Sequence, residues 1–179
     1  MRDLLTLPAF ASDDLFHVVV ESPRGSTVKL KWDPELGAMS ISRPLALGLS
    51  YPHDWGFAPS TKGPDGDPLD ALVFWDVSSF QASSFRAGRW PSCSSSRNRQ
   101  GHPGERVRND RLVAVPDTYR RAFAHSVGAL PQRVRDELAH FFVAATVFEG
   151  KDPKIPGWDG ADAALSLIRQ TAARVDGRR

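Results

Sequence analysis

The pattern of apolar and polar positions predicts short strands in the first two thirds of the chain. Apolar and β-branched residues fill the first predicted strand, and the second alternates, with Lys29 and Lys31 on one face. An Asp-Pro turn leads to a returning strand, and two continuous apolar runs follow later. Strands that precede any helix favour a small barrel or open sheet over a doubly wound fold. The predicted strands are 16–21, 27–32, 38–43, 72–75 and 112–115.

Helical periodicity is confined to the C-terminal part of the chain. Pro131 stands where a first-turn proline belongs, and an apolar stripe at helical spacing follows it as far as Ala145. Asp159 is predicted to cap a second helix, whose inner face carries Leu165 and Ile168. We therefore expect an α+β, mainly β fold: a small β-barrel with two C-terminal helices, formed as a single domain by residues 1–179.

Composition agrees with a globular protein and excludes some classes. The 179 residues are 41% hydrophobic and 25% charged, and this length is enough for a substantial core. The one cysteine, Cys93, excludes an internal disulfide framework and suits a reducing cytoplasm. No apolar run approaches the roughly 20 residues needed to span a bilayer. We expect a cytoplasmic protein with no membrane partner.

Residues 81–100 do not fit this pattern. They contain six serines, four arginines and no acidic residue, and they lack strand alternation. Residues 81–111 contain seven arginines and two acids, Glu105 and Asp110, so their net charge is +5. The net charge of the whole chain is +2, so that of the remaining residues is −3. A long loop without structure inside a compact domain is unusual.

Three interpretations of residues 81–100 compete: a disordered basic insert that binds nucleic acid or an acidic partner, a divergent but folded strand pair, and a reading-frame error. We favour the third, because GC-rich codons for these residues can spell an alternating, strand-like sequence in a shifted frame. On that interpretation the segment should be the worst-packed region, with exposed arginines and few barrel hydrogen bonds. Sequencing the source DNA tests it directly.

The hexamer Asp65-Gly66-Asp67-Pro68-Leu69-Asp70 is the most informative stretch. Three carboxylates this close repel one another and raise each other's pKa unless cations neutralise them. Mg²⁺ binds through a few carboxylates together with substrate phosphates, so it is a natural neutraliser. A solvated turn would explain Asp65 and Gly66. It does not explain Asp70, which lies at the start of an apolar strand.

The acidic hexamer ends an ordered series of motifs. Glu21-Ser22-Pro23-Arg24-Gly25-Ser26 comes first, then Lys29, then Arg43, then the aromatic segment 51–57. With these motifs the chain resembles the soluble (family I) inorganic pyrophosphatases, which carry E-x-P-x-G-S-x-x-K, an Arg after the first hairpin, Y-P-x-x-[YW]-G-[FY] and D-G-D-P-[LV]-D. The resemblance implies an OB-like barrel, Mg²⁺-dependent hydrolysis of pyrophosphate to two phosphates, and a homo-oligomer.

The resemblance also implies residue roles. Asp67 matches the family's general base on the attacking water. Its metal ligands match Asp65 and Asp70, with Glu21 at the edge of the metal site. The substrate-binding residues implied are Lys29, Arg43, Tyr51 and, in place of a family lysine, Arg111.

Several family positions are changed in this chain. Lys31 replaces a Glu, Trp55 a Tyr, Asn109 an Asp, and Ala145-Thr146 a Tyr-Lys pair; Lys151 and Lys154 are candidates to compensate. These departures keep a second function open: a catalytically weak pyrophosphatase-like protein that binds phosphate or a nucleotide. A third, a nucleic-acid-binding module built on the Arg/Ser segment, has little support, because only Phe85 and Trp90 interleave with the arginines.

Overall fold

The computed structural model describes residues 3–99, 102–120 and 130–176. Its strands are β1 Phe10–Ser12, β2 Leu15–Ser22, β3 Val28–Asp33, β4 Ala38–Pro44, β5 Asp54–Ala58, β6 Leu69–Val73, β7 Ser84–Arg99, β8 His102–Arg108, β9 Arg111–Pro116 and β10 Lys154–Asp159. Its helices are α1 Asp117–Arg120, α2 Gln132–Ala144 and α3 Ala161–Asp176, with a 3₁₀ turn at Leu4–Thr6.

Five strands close a barrel in the order β2, β5, β6, β9, β7 and back to β2. Neighbours in the barrel are antiparallel except β6 and β9, which run parallel. Strands β1, β8 and β10 extend this sheet, and β3 and β4 form a separate hairpin. The predicted small barrel with two longer C-terminal helices is therefore confirmed.

The two long helices cover different parts of the barrel. Helix α3 inserts Leu165 and Ile168 into the main core. Helix α2 packs Phe141 and Phe142 against the aromatic segment that contains Trp55. This second cluster forms one wall of the cavity described below.

Strand β7 contradicts the expectation that residues 81–100 are poorly packed. It is 16 residues long and pairs with β2 and β9 along its first part and with β10 and β8 along its second. Ser92 and Ser95 are each only 3% exposed, and Cys93 is fully buried. Partners on both edges bury these small side chains, so the strand depends on distant pairing rather than on its own alternation. This arrangement favours a divergent strand over a reading-frame error.

Of the two aromatic residues in the Arg/Ser segment, Phe85 is not available as part of a nucleic-acid platform. Phe85 packs on the main core, with its ring 4.9 Å from that of Trp75. The side chain of Trp90 lies outside the described part of the structure. No described helix is long and apolar enough to cross a membrane.

Two local features differ from the sequence expectations. Asp159 does not cap α3: it is the last residue of β10, and its carboxylate accepts a hydrogen bond from the Ser94 hydroxyl. The aromatic segment 51–57 overlaps β5, which was not among the predicted strands, and close packing there requires a glycine at Gly56. A Cβ at Gly56 would lie 1.8 Å from the backbone oxygen of Val19 on β2.

Candidate active site

A cavity of about 290 Å³ lies between the barrel, the β3–β4 hairpin and the C-terminal end of α2. All eight site residues predicted from the sequence line it, although they come from separate parts of the chain. They are Glu21, Lys29, Arg43, Tyr51, Asp65, Asp67, Asp70 and Arg111. The structure thus brings together every predicted side chain in one concave site.

Asp65 is held by donors on both carboxylate oxygens. Its Oδ1 accepts a hydrogen bond from the backbone N–H of Asp67 at 3.2 Å, across a turn in which Gly66 has a φ of 92°. Its Oδ2 accepts from Arg97 at 3.1 Å and from the side-chain amide of Asn109 at 2.9 Å. The protein itself therefore neutralises this predicted metal ligand.

Asp67 is the exposed member of the acidic loop. Its side chain is 60% exposed, and its Oδ2 lies 3.9 Å from Lys31 Nζ. An exposed ion pair at this distance contributes at most about 1 kcal/mol, so it does not fix the carboxylate rigidly. Asp67 is thus accessible to water, as a base acting on water must be.

Burial controls the charge of the acids deeper in the site. It raises the pKa of Asp70, and Lys29 and Arg111 oppose that increase. Burial also lowers the pKa of Lys29, and the nearby Asp70 opposes this decrease. Asp70 and Lys29 therefore each stabilise the charged form of the other. Burial raises the pKa of Glu21 to about 7, although its Oε1 accepts a hydrogen bond from Trp32 N at 2.9 Å.

Arg43 is positioned by the segment that follows α2. It donates to the backbone oxygen of Ala145 at 2.7 Å and forms an ion pair with Glu149, whose other oxygen pairs with Lys151. Glu149 was missed by the sequence analysis, because its distance from Arg43 along the chain leaves no local pattern. Of the two lysines considered as compensating cations, Lys151 lines the cavity, whereas Lys154 lies on β10.

Arg111 is buried among aromatic rings and is 6% exposed. Its guanidinium carbon lies 4.7 Å from the Phe142 ring centroid, and its NH1 donates to the hydroxyl of Ser95. Within the described residues, Arg111 Nε and Trp55 Nε1 have no hydrogen-bond partner. Both residues line the cavity, but these two N–H groups are themselves buried in its wall.

Tyr51 is buried against the same aromatic wall. It is 4% exposed, and its ring centroid lies 5.3 Å from that of Phe141. Burial raises the pKa of its hydroxyl, which therefore stays a hydrogen-bond donor at neutral pH.

Strand β7 supplies two site residues that the sequence analysis did not predict. Arg97 pairs with Asp65, and Ser95 holds Arg111. Asp110, the acid next to Asn109, does not substitute for it: its carboxylate accepts from Ser95 N at 3.0 Å and from Arg108. No local motif could reveal Arg97, because its partner lies 32 positions earlier.

The donor set fits a divalent ion that is held jointly with a substrate. Within the described ranges, no group of three His, Cys, Asp or Glu side chains is arranged to hold a metal by itself. However, Asp70 and Glu21 are carboxylates destabilised by burial in a cavity, and a cation there would stabilise their charged forms. Mg²⁺ commonly binds through only one or two carboxylates together with phosphate oxygens, which this set allows.

Comparisons with known proteins agree with this site. A family model described as inorganic pyrophosphatase matches residues 18–176. The inorganic pyrophosphatase of Thermus thermophilus is 33% identical over 99% of this chain and 100% of its own, and that of Sulfolobus acidocaldarius is 32% identical over 95% and 96%. The Thermus thermophilus crystal structure superposes with a TM-score of 0.86, at 29% identity, over 98% of this chain and 99% of its own. The chain therefore belongs to the inorganic pyrophosphatase family.

Proposed function

We propose that this protein hydrolyses inorganic pyrophosphate to two phosphates with the help of Mg²⁺. The observation that carries the proposal is the single cavity in which Lys29, Arg43 and Arg111 lie with the acidic loop. Cations that bind phosphate and carboxylates that bind metal and activate water are the two requirements of this reaction. Family membership supports the same reaction.

The cationic side chains bind and orient the substrate. Lys29 and Arg111, the cations beside Asp70, would bind phosphoryl oxygens from the barrel side, and Arg43 from the side of α2. Fixing pyrophosphate between these groups presents a phosphorus atom to water in one orientation.

Asp67 is the proposed general base. Its exposed carboxylate reaches water and lies 3.9 Å from Lys31 Nζ. Asp70, Asp65 and Glu21 would hold Mg²⁺, which would supply neutralisation of phosphoryl oxygens when bound. Removal of a general base lowers rates by about 10²- to 10⁴-fold in other enzymes, so Asp67 should account for an effect of that order.

A second candidate function is favoured by one observation. Arg97 and Asn109 occupy the Oδ2 of Asp65, and an amide brings no charge for a metal. The protein could then bind phosphate or a nucleotide with little turnover. Phosphate release from pyrophosphate, measured with Mg²⁺ and with EDTA, separates the two: Mg²⁺-dependent release that Asp67→Asn abolishes supports the enzyme, and binding without release supports the alternative.

We also propose a cytoplasmic homo-oligomer. Large apolar side chains are exposed on the described surface, including Leu47, Phe80 (82% exposed) and Phe148 (86% exposed). The family resemblance implies a homo-oligomer, and large exposed apolar side chains are candidates for contacts between copies of the chain. Light scattering coupled to size exclusion tests the oligomer: a mass of 19.7 kDa would indicate a monomer and contradict this part of the proposal.

A further inference from the structure

Two acids of the predicted metal-binding loop are already paired with cations of this chain. Arg97 donates to Asp65 Oδ2 at 3.1 Å, with side chains only 14% and 11% exposed. Lys31 lies 3.9 Å from Asp67 at the more exposed side of the cavity. The Arg97 contact is a charge-assisted hydrogen bond shielded from solvent, so a metal ion must compete with it for Asp65.

The cavity as a whole also carries more cations than acids. Among the described residues that line it, five are acidic and six are cationic. The acids are Glu21, Asp65, Asp67, Asp70 and Glu149; the cations are Lys29, Lys31, Arg43, Arg97, Arg111 and Lys151. The lining thus carries a net positive charge before any metal is added.

We propose that Arg97 and Lys31 are built-in counter-ions, so that the cavity binds a diphosphate anion without divalent ions and binds divalent ions only weakly. This proposal deepens the proposed function and uses the same cavity. Asp65 and Asp67 then need no metal to offset their charge, and the six cations of the lining still exceed its five acids by one.

The proposal predicts opposite effects on two ligands. Removing the charge of Arg97 takes a donor from the site but frees Asp65 Oδ2 for a metal. Metal-free binding of the anion should therefore weaken while binding of a divalent ion strengthens. A residue that only holds the fold together would weaken both.

The experiment compares Arg97→Gln with Arg106→Gln by calorimetry. Arg106 is a matched control, because it lies on the neighbouring strand β8 and pairs with Asp152 at 3.0 Å rather than with the cavity. The probes are imidodiphosphate, a diphosphate analogue that is not hydrolysed, in EDTA, and Mn²⁺ alone. We expect wild-type protein to bind imidodiphosphate in EDTA, and Arg97→Gln to bind it about tenfold more weakly and Mn²⁺ about tenfold more tightly. Arg106→Gln should match the wild type for both.

Lys31→Glu gives a second test on a side chain that is 48% exposed, where a reversed charge remains in contact with solvent. Reversing its charge should also weaken metal-free anion binding and strengthen Mn²⁺ binding, each by roughly tenfold at low salt. Absence of imidodiphosphate binding in EDTA, or unchanged Mn²⁺ affinity in both cavity variants, overturns the proposal. Turnover is measured separately. An active enzyme with these negative binding results would contradict only the counter-ion proposal. An inactive protein with the expected binding results would contradict only the proposed function.

Discussion

Replacing Asn109 by Asp is the most direct perturbation of charge in the cavity. The Asn109 side-chain amide donates to Asp65 Oδ2 at 2.9 Å. An aspartate in that place cannot donate when it is ionised, and it sets a second negative charge against Asp65. In the absence of divalent ions the variant should therefore be less stable than the wild type.

The size of the loss follows from two contributions. A hydrogen bond to a charged group contributes about 1.5–3 kcal/mol. Two like charges about 4 Å apart repel by about 4 kcal/mol at an effective dielectric constant of about 20. Arg97, which also contacts Asp65, offsets part of that repulsion. We expect a net loss of about 3 kcal/mol in EDTA, which lowers the Tm of a chain of this size by roughly 6–12 °C.

Divalent ions should reverse the effect. The new carboxylate adds a metal ligand beside Asp65, so Asn109→Asp should bind Mg²⁺ more tightly than the wild type and hydrolyse pyrophosphate faster. Mg²⁺ at about 100 times its Kd would restore about 2.7 kcal/mol.

Thermal unfolding in EDTA and across a Mg²⁺ titration measures both effects. Asn98→Asp is the control: Asn98 lies on β7 next to Arg97, and its side-chain oxygen accepts a long 3.4 Å hydrogen bond from Arg106 at an exposed position. A Tm equal to the wild type in EDTA, or a Tm deficit that Mg²⁺ does not reduce, would refute the reasoning about this position.

Four further changes have defined outcomes. Asp67→Asn should reduce phosphate release by about 10²- to 10⁴-fold with Mg²⁺ binding retained. Asp70→Asn should mainly weaken Mg²⁺ binding, as measured by calorimetry. Equal, small effects of the two substitutions would contradict both roles. The folded-state pKa of Glu21 is about 7 against 4.5 for an unperturbed carboxyl, so the folded protein loses stability as pH rises through this interval. Glu21→Gln should therefore be up to about 3 kcal/mol more stable than wild type at pH 8 in EDTA and equal to it at pH 4, as measured by urea unfolding; a constant difference at all pH values would contradict this. Gly56→Ala should unfold or fail to express, because its Cβ would meet a backbone oxygen at 1.8 Å, whereas Gly157→Ala, with no atom within 4 Å of the new Cβ, should be close to neutral by thermal unfolding.

The parts of the fold that the sequence predicted are those set by local periodicity. Strand β2, the β3–β4 hairpin and the two long helices follow from spacing that neighbouring residues define. Strand β7 could not be predicted in this way, because its buried serines lie where it pairs with β9 and β10, and β10 comes about 60 positions later in the chain. Its strand conformation is a property of the closed barrel.

The site shows the same division. The acidic loop and the cations Lys29 and Arg43 were found by motif, and the structure places them around one cavity. Arg97 and Glu149 were not found, because each acts on a partner far away in sequence, and an isolated Arg or Glu carries no signal of its partner. Their ion pairs changed the interpretation of the site more than any motif residue did.

The long pairings of β7 have a consequence for the order in which the protein forms during synthesis. Leu15 on β2 pairs with Gly88 on β7, and the backbone N–H of Asn98 bonds to the oxygen of Lys151. The acidic loop therefore leaves the ribosome well before Arg97, and Lys151 follows later still. Because pairing between distant segments forms slowly, the nascent chain carries an acidic loop without its full set of cations until most of the polypeptide has emerged. The ability to bind a phosphate anion should thus appear late in synthesis and abruptly, when the barrel closes.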